Sequence, residues 1–193
     1  MLRFATALAI TTSIVGLATP IFAQSATVFS YSDRLHPVYA KNGMVAAQES
    51  LASQVGLDIL KAGGTAIDAG VGVGLAKAAT LPEAGDLVGG GFMMIHDAKT
   101  GETKAIDYRE MAPAAATRDM YLDKDGNANS DLSQYSGLAV GVPGTVAGMQ
   151  MALEKYGTMS LSEVLQPAIK LARDGFIVTT GLSDSLIDSQ NEL

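Results

Sequence analysis

The clearest helical pattern in the chain is a set of apolar residues four positions apart. Leu51, Val55 and Ile59 recur at this spacing with polar side chains between them. This arrangement is typical of an amphipathic helix with one buried face. Gly63 and Gly64 follow and favour a left-handed stop, so we predict a helix that ends just before them.

A second helix is predicted over residues 66–80, which are apolar on nearly every side. Thr65 and Asp68 have the spacing of an N-terminal cap, with the aspartate in the first turn. Alternating glycines within the segment let another backbone approach, so we expect a central, buried helix that packs against a sheet. These glycines lack the G-x-G-x-x-G spacing, which excludes a phosphate-binding loop.

Strands are predicted where short apolar or alternating segments are bounded by turn residues. Segment 43–48 is interpreted as a short buried strand, and 92–97 and 102–109 as a hairpin joined by four residues. In the last strand Asp107 and Arg109 share one face, because side chains alternate along a strand.

The second half of the chain contains further helical patterns and one turn. We predict a helix that runs from a tight bend at 141–145 to about residue 156, another over 160–173, and a third that begins near 182. The stretch 123–127 is rich in aspartate and asparagine. Its glycine is misplaced for a calcium loop and no glutamate closes it, so a turn is predicted.

The first 23 residues have the pattern of a secretory signal peptide. Arg3 precedes an uncharged apolar stretch, and Ala23 is a small residue suited to cleavage. The stretch is shorter than the roughly 20 residues of a membrane-spanning helix, although an uncleaved anchor is the alternative. We predict a signal peptide over 1–23, a polar leader over 24–41 and a folded part over 42–193. The protein is expected to be periplasmic or secreted, without membrane attachment after cleavage.

Composition excludes several kinds of site. The formal net charge of −7 argues against a nucleic-acid partner. There is no cysteine, which excludes a thiol nucleophile or a thiolate metal site. His36 and His96 lie in no catalytic or zinc-binding motif, so both are interpreted as structural or surface residues. No metal or cofactor is expected.

A set of short motifs follows in a characteristic order along the chain. They are Asn42-Gly43-Met44-Val45-Ala46, Gly63-Gly64-Thr65-Ala66-Ile67-Asp68-Ala69, Gly89-Gly90-Gly91-Phe92-Met93, Asp107-Tyr108-Arg109-Glu110-Met111-Ala112-Pro113 and Val142-Pro143-Gly144-Thr145-Val146-Ala147-Gly148. Each motif is weak alone, but in this order they resemble the γ-glutamyltranspeptidase family, also called glutathione hydrolases. The resemblance implies an α+β fold, the N-terminal-nucleophile hydrolase αββα sandwich, of which this chain supplies an incomplete, N-terminal portion of the large subunit.

The resemblance also implies an activity. Members are made as precursors that cleave themselves into a large and a small subunit, and the new N-terminal threonine attacks a γ-glutamyl amide. Water or an amino-acid or peptide acceptor then resolves the glutamyl-enzyme, and glutathione is the usual donor. The threonine belongs to the small subunit, so no catalytic residue is expected in this chain, which alone is expected to be inactive.

Arg109 is the candidate substrate-binding residue. The resemblance implies that it holds the α-carboxylate of the γ-glutamyl donor, and a planar guanidinium suits this role because it offers two parallel charge-assisted hydrogen bonds. The alternative is that Arg109 pairs only with Asp107 or Glu110.

Two other functions remain open at this point: a non-catalytic periplasmic binder of γ-glutamyl or amino-acid carboxylates, and a relative of the cephalosporin acylases. The chain departs from the family at Val88, where a glycine is usual, and at Gly70 and Gly72, where alanines are common. These glycines are expected to loosen the core without changing the chemistry. Part of a sandwich is also expected to expose apolar faces and to aggregate without a complementary chain.

Overall fold

A computed structural model describes residues 39–85 and 87–191, so the predicted signal peptide and nearly all of the polar leader lie outside the described residues. From Ala40 onward the described residues form one unit of helices and a two-stranded sheet. The elements are α1 (Ser50–Lys61), α2 (Ala66–Thr80), β1 (Phe92–Asp97), β2 (Glu102–Asp107), α3 (Ser130–Gln134), a 3₁₀ helix (Gly137–Ala139), α4 (Thr145–Tyr156), α5 (Leu161–Asp174) and α6 (Thr180–Asp188). The predicted α+β class is confirmed.

Helix α1 begins at a cap that also ties it to the end of α2. The Glu49 carboxylate accepts hydrogen bonds from the backbone N–H groups of Leu51 (2.9 Å) and Ala52 (2.7 Å), which the first turn would otherwise leave without partners. It also accepts one from the Thr80 hydroxyl at 2.8 Å. A single buried carboxylate therefore fixes the start of one helix to the last residue of the next.

Helix α2 is central, as predicted, but its neighbours are helices. Among the described elements it packs mainly against α1, α5 and α4, and it makes no extensive contact with β1 or β2, where the sheet was predicted. The glycines explain this arrangement, because Gly72 lies against Ile59 of α1 and Gly74 lies against Met149 of α4. Gly72 therefore permits a close approach of α1 to α2, whereas the space beside Gly70 is open.

Helix α2 also carries a buried carboxylate that reaches a distant part of the chain. Asp68 is fully buried and forms the predicted capping box with Thr65. In addition, it accepts hydrogen bonds from the backbone N–H groups of Thr158 (2.9 Å) and Met159 (3.1 Å) and from the Thr158 hydroxyl (2.9 Å). We call this set, with Thr65, the Asp68 clamp; it joins the start of α2 to the loop between α4 and α5.

Two glycines of α2 provide a matched test of this packing. A methyl group at Gly72 would collide with Ile59, whereas nothing lies within 4 Å of the position it would take at Gly70. Gly70→Ala is expected to stabilise the protein by about 0.5 to 1 kcal/mol, because alanine has the higher helix propensity. Gly72→Ala is expected to be less stable than Gly70→Ala by about 1 to 3 kcal/mol, since Ile59 must move. Urea unfolding of both variants measures the difference, and equal stabilities would contradict the close contact.

The predicted hairpin is confirmed, with β1 and β2 antiparallel and in register from the pair Phe92 and Asp107 to the pair Asp97 and Glu102. Its inner face contributes Ile95 and Ile106 to the buried core. Its outer face exposes Phe92 (64%) and Met94 (69%). The apolar outer face is the feature expected of a sheet whose second layer lies elsewhere.

Three predictions of secondary structure need correction or addition. Segment 43–48 forms no strand, because no hydrogen-bonded neighbour strand is present among the described residues. Strand β2 ends at Asp107 instead of residue 109. Helix α3 and the 3₁₀ helix were not predicted; they are short and expose most of their side chains. The turn over 123–127 is confirmed, with Gly126 at φ +83.

Helices α4, α5 and α6 agree with the predicted segments. Ser160 caps α5 through a capping box with Glu163, and Gly175 follows the last residue of α5 at φ +79. Among the described residues, none of the helices has the length and apolar character needed to cross a membrane.

Candidate functional site

Three of the glycine- and arginine-containing motifs meet at the open end of the hairpin. The backbone of Tyr108 pairs with that of Gly91, with its N–H donating at 3.0 Å. The carbonyl of Gly89 accepts from the N–H groups of Gly144 (2.9 Å) and Thr145 (3.1 Å) at the start of α4. Segments 89–91, 107–113 and 142–148 are thus brought together, which sequence spacing alone did not show.

The glycines at this junction are required by close approach. A side chain at Gly144 would collide with the carbonyl oxygen of Tyr108, and one at Gly148 would collide with its ring. One at Gly90 would collide with Glu110. The absence of side chains at these positions lets the loop and α4 hold the segment around Arg109 from both sides. Burial of the Tyr108 ring raises the pKa of its hydroxyl.

Arg109 lies two residues after the end of β2, and its side chain is 56% exposed. Its Nη2 lies 3.3 Å from Oε1 of Glu110, while its backbone N–H donates to Oδ1 of Asp107 at 3.0 Å. Of the two acidic partners considered for Arg109, Glu110 forms an ion pair with its guanidinium. Asp107 contacts only the backbone of Arg109. Asp107 and Arg109 are both exposed and Ile106 is buried, but the predicted alternation of faces along a strand extends only to Asp107, where β2 ends.

Glu110 is a feature of the site that sequence reasoning treated only as a possible partner of Arg109. Its Oε2 atom is buried and has no hydrogen-bond partner among the described residues. A buried carboxylate oxygen without a donor costs about 1 to 3 kcal/mol, so this atom is an acceptor available to a donor group. The only sequence signal for it was its place beside Arg109 in the motif.

A cavity of about 260 Å³ lies behind Tyr108. It is lined by Gly74, Lys77, Ala84, Gly85, Gly90, Tyr108, Thr145 and Met149. Arg109 is not part of this lining, and its guanidinium lies at the surface, more than half exposed.

The other candidate chemistry is absent from the described part of the chain. His96 is exposed, and its Nδ1 lies 2.9 Å from the Thr103 hydroxyl oxygen, as expected of a surface residue. His36 lies outside the described residues. Within residues 39–85 and 87–191, no three histidine or acidic side chains form a group that could hold a metal ion.

The sequence matches the family model described as Gamma-glutamyltranspeptidase over residues 52–193. Among curated proteins, it is 62% identical over 154 residues to a glutathione hydrolase proenzyme of Escherichia coli (strain K12), covering 80% of this chain and 26% of that protein. The chain therefore spans about a quarter of the length of this curated relative.

Solved structures give the same comparison in three dimensions. The chain resembles the γ-glutamyltranspeptidase of Helicobacter pylori with a TM-score of 0.77 and 46% identity, covering 80% of this chain and 44% of that one. It also resembles a cephalosporin acylase from Bacillus halodurans with a TM-score of 0.72 and 30% identity, covering 86% of this chain and 31% of that one.

Proposed function

This chain belongs to the γ-glutamyltranspeptidase family, and we propose that it supplies the N-terminal part of the large subunit of an enzyme that hydrolyses or transfers γ-glutamyl groups. The match over residues 52–193 carries the proposal. Glutathione and other γ-glutamyl compounds are the proposed donors, and water or an amino-acid or peptide amine is the proposed acceptor. The small subunit of the same precursor is the proposed partner that brings the threonine nucleophile.

Arg109 is the residue of this chain that we assign to substrate binding. Its guanidinium is more than half exposed and pairs with one carboxylate oxygen, which leaves other N–H donors for a second carboxylate. Two parallel hydrogen bonds to the α-carboxylate would fix the position of the γ-carbonyl relative to the nucleophile. The backbone contacts of segments 89–91 and 142–148 support this role because they hold the chain on both sides of Arg109.

Export is a further part of the proposal. The apolar stretch after Arg3 and the small residue Ala23 support a cleaved signal peptide. A periplasmic or secreted enzyme would act on extracellular γ-glutamyl compounds. N-terminal sequencing of the exported protein tests this, and a mature chain that begins at Met1 would contradict it.

The two alternative functions differ from this proposal in measurable ways. The higher identity to a γ-glutamyltranspeptidase structure (46%) than to a cephalosporin acylase structure (30%) favours γ-glutamyl substrates. A non-catalytic binder would give saturable heat when the chain alone is titrated with glutamate or glutathione. A chain that depends on a second subunit would give none.

A chimera tests the function directly. The matching segment of the Escherichia coli glutathione hydrolase proenzyme, which is 62% identical over 154 residues, is replaced by that of this chain. We expect the chimera to mature into two subunits and to hydrolyse glutathione. A chimera that melts like the parent protein but turns over cephalosporins, or no γ-glutamyl compound at all, would count against the proposal.

The exposed outer face of the hairpin predicts self-association of the chain alone. Phe92 and Met94 are exposed there, and among the described residues the sheet has only two strands, so each strand has an outer edge without a neighbouring strand. Both features favour aggregation. Replacing Phe92 by serine and Met94 by lysine is expected to shift the chain towards monomer in sedimentation velocity. Tyr39→Ser, which removes another exposed aromatic ring, is the matched control and should have little effect. A wild-type chain that is a cooperatively melting monomer would contradict the prediction.

A further inference from the structure

The dipeptide Asn42-Gly43 is exposed and lies outside regular secondary structure. Among the described residues, no hydrogen bond holds the Asn42 side chain or the Gly43 N–H. The nearest helix, α1, begins at Ser50. The asparagine amide and the following backbone nitrogen are therefore free to approach each other, and glycine places no side chain in the way.

We propose that Asn42 is a site of spontaneous deamidation. The backbone nitrogen of Gly43 attacks the side-chain amide carbon of Asn42, a C–N bond forms, and ammonia leaves with the proton lost by that nitrogen. Water then opens the five-membered succinimide at either carbonyl and yields aspartate or isoaspartate. Water is the co-reactant, no oxidant is needed, and the net change replaces an amide by a carboxylic acid, which ionises at neutral pH.

Other positions with related chemistry are held by hydrogen bonds. The Asn129 side chain caps α3 by accepting from the N–H groups of Asp131 (3.0 Å) and Leu132 (3.3 Å). At the Asp125-Gly126 dipeptide the attacking nitrogen would be that of Gly126. Its N–H donates to the carbonyl of Asp123 at 3.1 Å. A nucleophile or amide occupied in this way must first be released by local opening, so these positions are internal controls.

The modification changes both charge and backbone at the entry to the fold. Val45, three residues after Asn42, lies against Gly56 of α1. The isoaspartate product inserts one additional backbone carbon ahead of this contact and adds a negative charge to an already acidic chain. The structure thus places the reactive site where the backbone can change without breaking a helix.

Peptide mapping by mass spectrometry of the whole chain, aged in mildly alkaline buffer with and without urea, tests the proposal. At Asn42 the folded and unfolded rates should agree within roughly a factor of three, because no local opening is required. At Asn129 the folded rate should be at least about tenfold below the unfolded rate, because its cap must open first.

Variants complete the test. Asn42→Gln should abolish the product at this position, because glutamine would have to form a six-membered ring, while Asn42→Asp provides the chromatographic standard for the aspartate product. Protection of Asn42 in the folded chain to the same extent as Asn129 would overturn the proposal. So would isoaspartate that remains at an unchanged level in the Asn42→Gln variant.

Discussion

Replacing Asp68 by asparagine is expected to lower the free energy of unfolding by about 3 to 5 kcal/mol. The fully buried carboxylate accepts from Thr65 on its own helix and from Thr158 and Met159 on the distant loop. Asparagine retains one oxygen but turns an N–H₂ group towards N–H and O–H donors, so several buried donors lose their acceptor. Asp58→Asn, on the exposed side of α1, is the control and should change stability by less than about 0.5 kcal/mol.

The pH dependence of stability provides a second measurement of the Asp68 clamp. Burial alone would raise the pKa of Asp68, but hydrogen bonds from Thr65, Met159 and Thr158 outweigh it and lower the pKa from 3.8 to about 2. A depressed pKa contributes stability that is fully present above 3.8 and is lost as the pH falls towards 2. This contribution is roughly 2 kcal/mol.

Urea unfolding between pH 7 and pH 2 should therefore show a smaller acid-induced loss in Asp68→Asn than in the wild type. Asp58→Asn should follow the wild-type curve. If Asp68→Asn and Asp58→Asn were equally stable at neutral pH, the six hydrogen bonds accepted by the clamp carboxylate would be energetically unimportant, contrary to this interpretation.

Arg109→Lys, made in the chimera, is expected to lower kcat/KM for γ-glutamyl donors. The expected decrease corresponds to a loss of about 2 to 4 kcal/mol in transition-state stabilisation. Lysine retains the positive charge but cannot form two parallel hydrogen bonds to one carboxylate. The loss should affect all donors with a free α-carboxylate and should be smaller for donors in which this group is blocked as an amide. Initial rates at low donor concentration measure it.

Arg118→Lys is the matched control, because Arg118 is almost fully exposed and pairs only with the neighbouring Asp119 at 3.6 Å among the described residues. It should leave kcat/KM unchanged. Maturation into two subunits should be normal in both variants, which separates a binding defect from misfolding. An Arg109→Lys enzyme with wild-type kcat/KM would remove Arg109 from substrate binding and leave only its ion pair with Glu110.

Much of the helical structure could be predicted because its signals are local. The cap at Thr65, the capping box at Ser160 and the glycines that follow α1 and α5 act within a few residues of the helix ends. The hairpin was predicted for the same reason, since a four-residue turn joins two alternating segments. Short elements such as α3 were missed because five residues carry too little periodicity.

Long-range contacts could not be predicted from local patterns. The sequence identified Asp68 as a helix cap, but nothing in its surroundings indicated bonds to Thr158 and Met159, about ninety residues away. The glycine-rich apolar pattern of α2 indicated correctly that the helix is buried. The pattern does not show whether helices or a sheet cover it, so the predicted sheet neighbour had no local support. Segment 43–48 was predicted as a strand from its apolar character, although strand formation depends on a partner.

The candidate site was only partly accessible to the same reasoning. Arg109 came from the family resemblance, and its exposure and ion pair are structural findings. The meeting of Gly89, Tyr108 and Gly144 depends on backbone hydrogen bonds between separate segments. The unpaired oxygen of Glu110 likewise emerges only in three dimensions, because burial and the lack of a donor are properties of the folded chain.

The Asp68 clamp also bears on which parts of this chain can change in length. The clamp joins positions 90 residues apart. The chain between them is therefore a closed loop, and the clamp holds its two ends together whatever the length of the loop. The entropy of closing such a loop grows only with the logarithm of its length, about 0.6 kcal/mol for a doubling. Insertions or deletions within residues 114–129, which are mostly exposed and lie before α3, should therefore cost little stability.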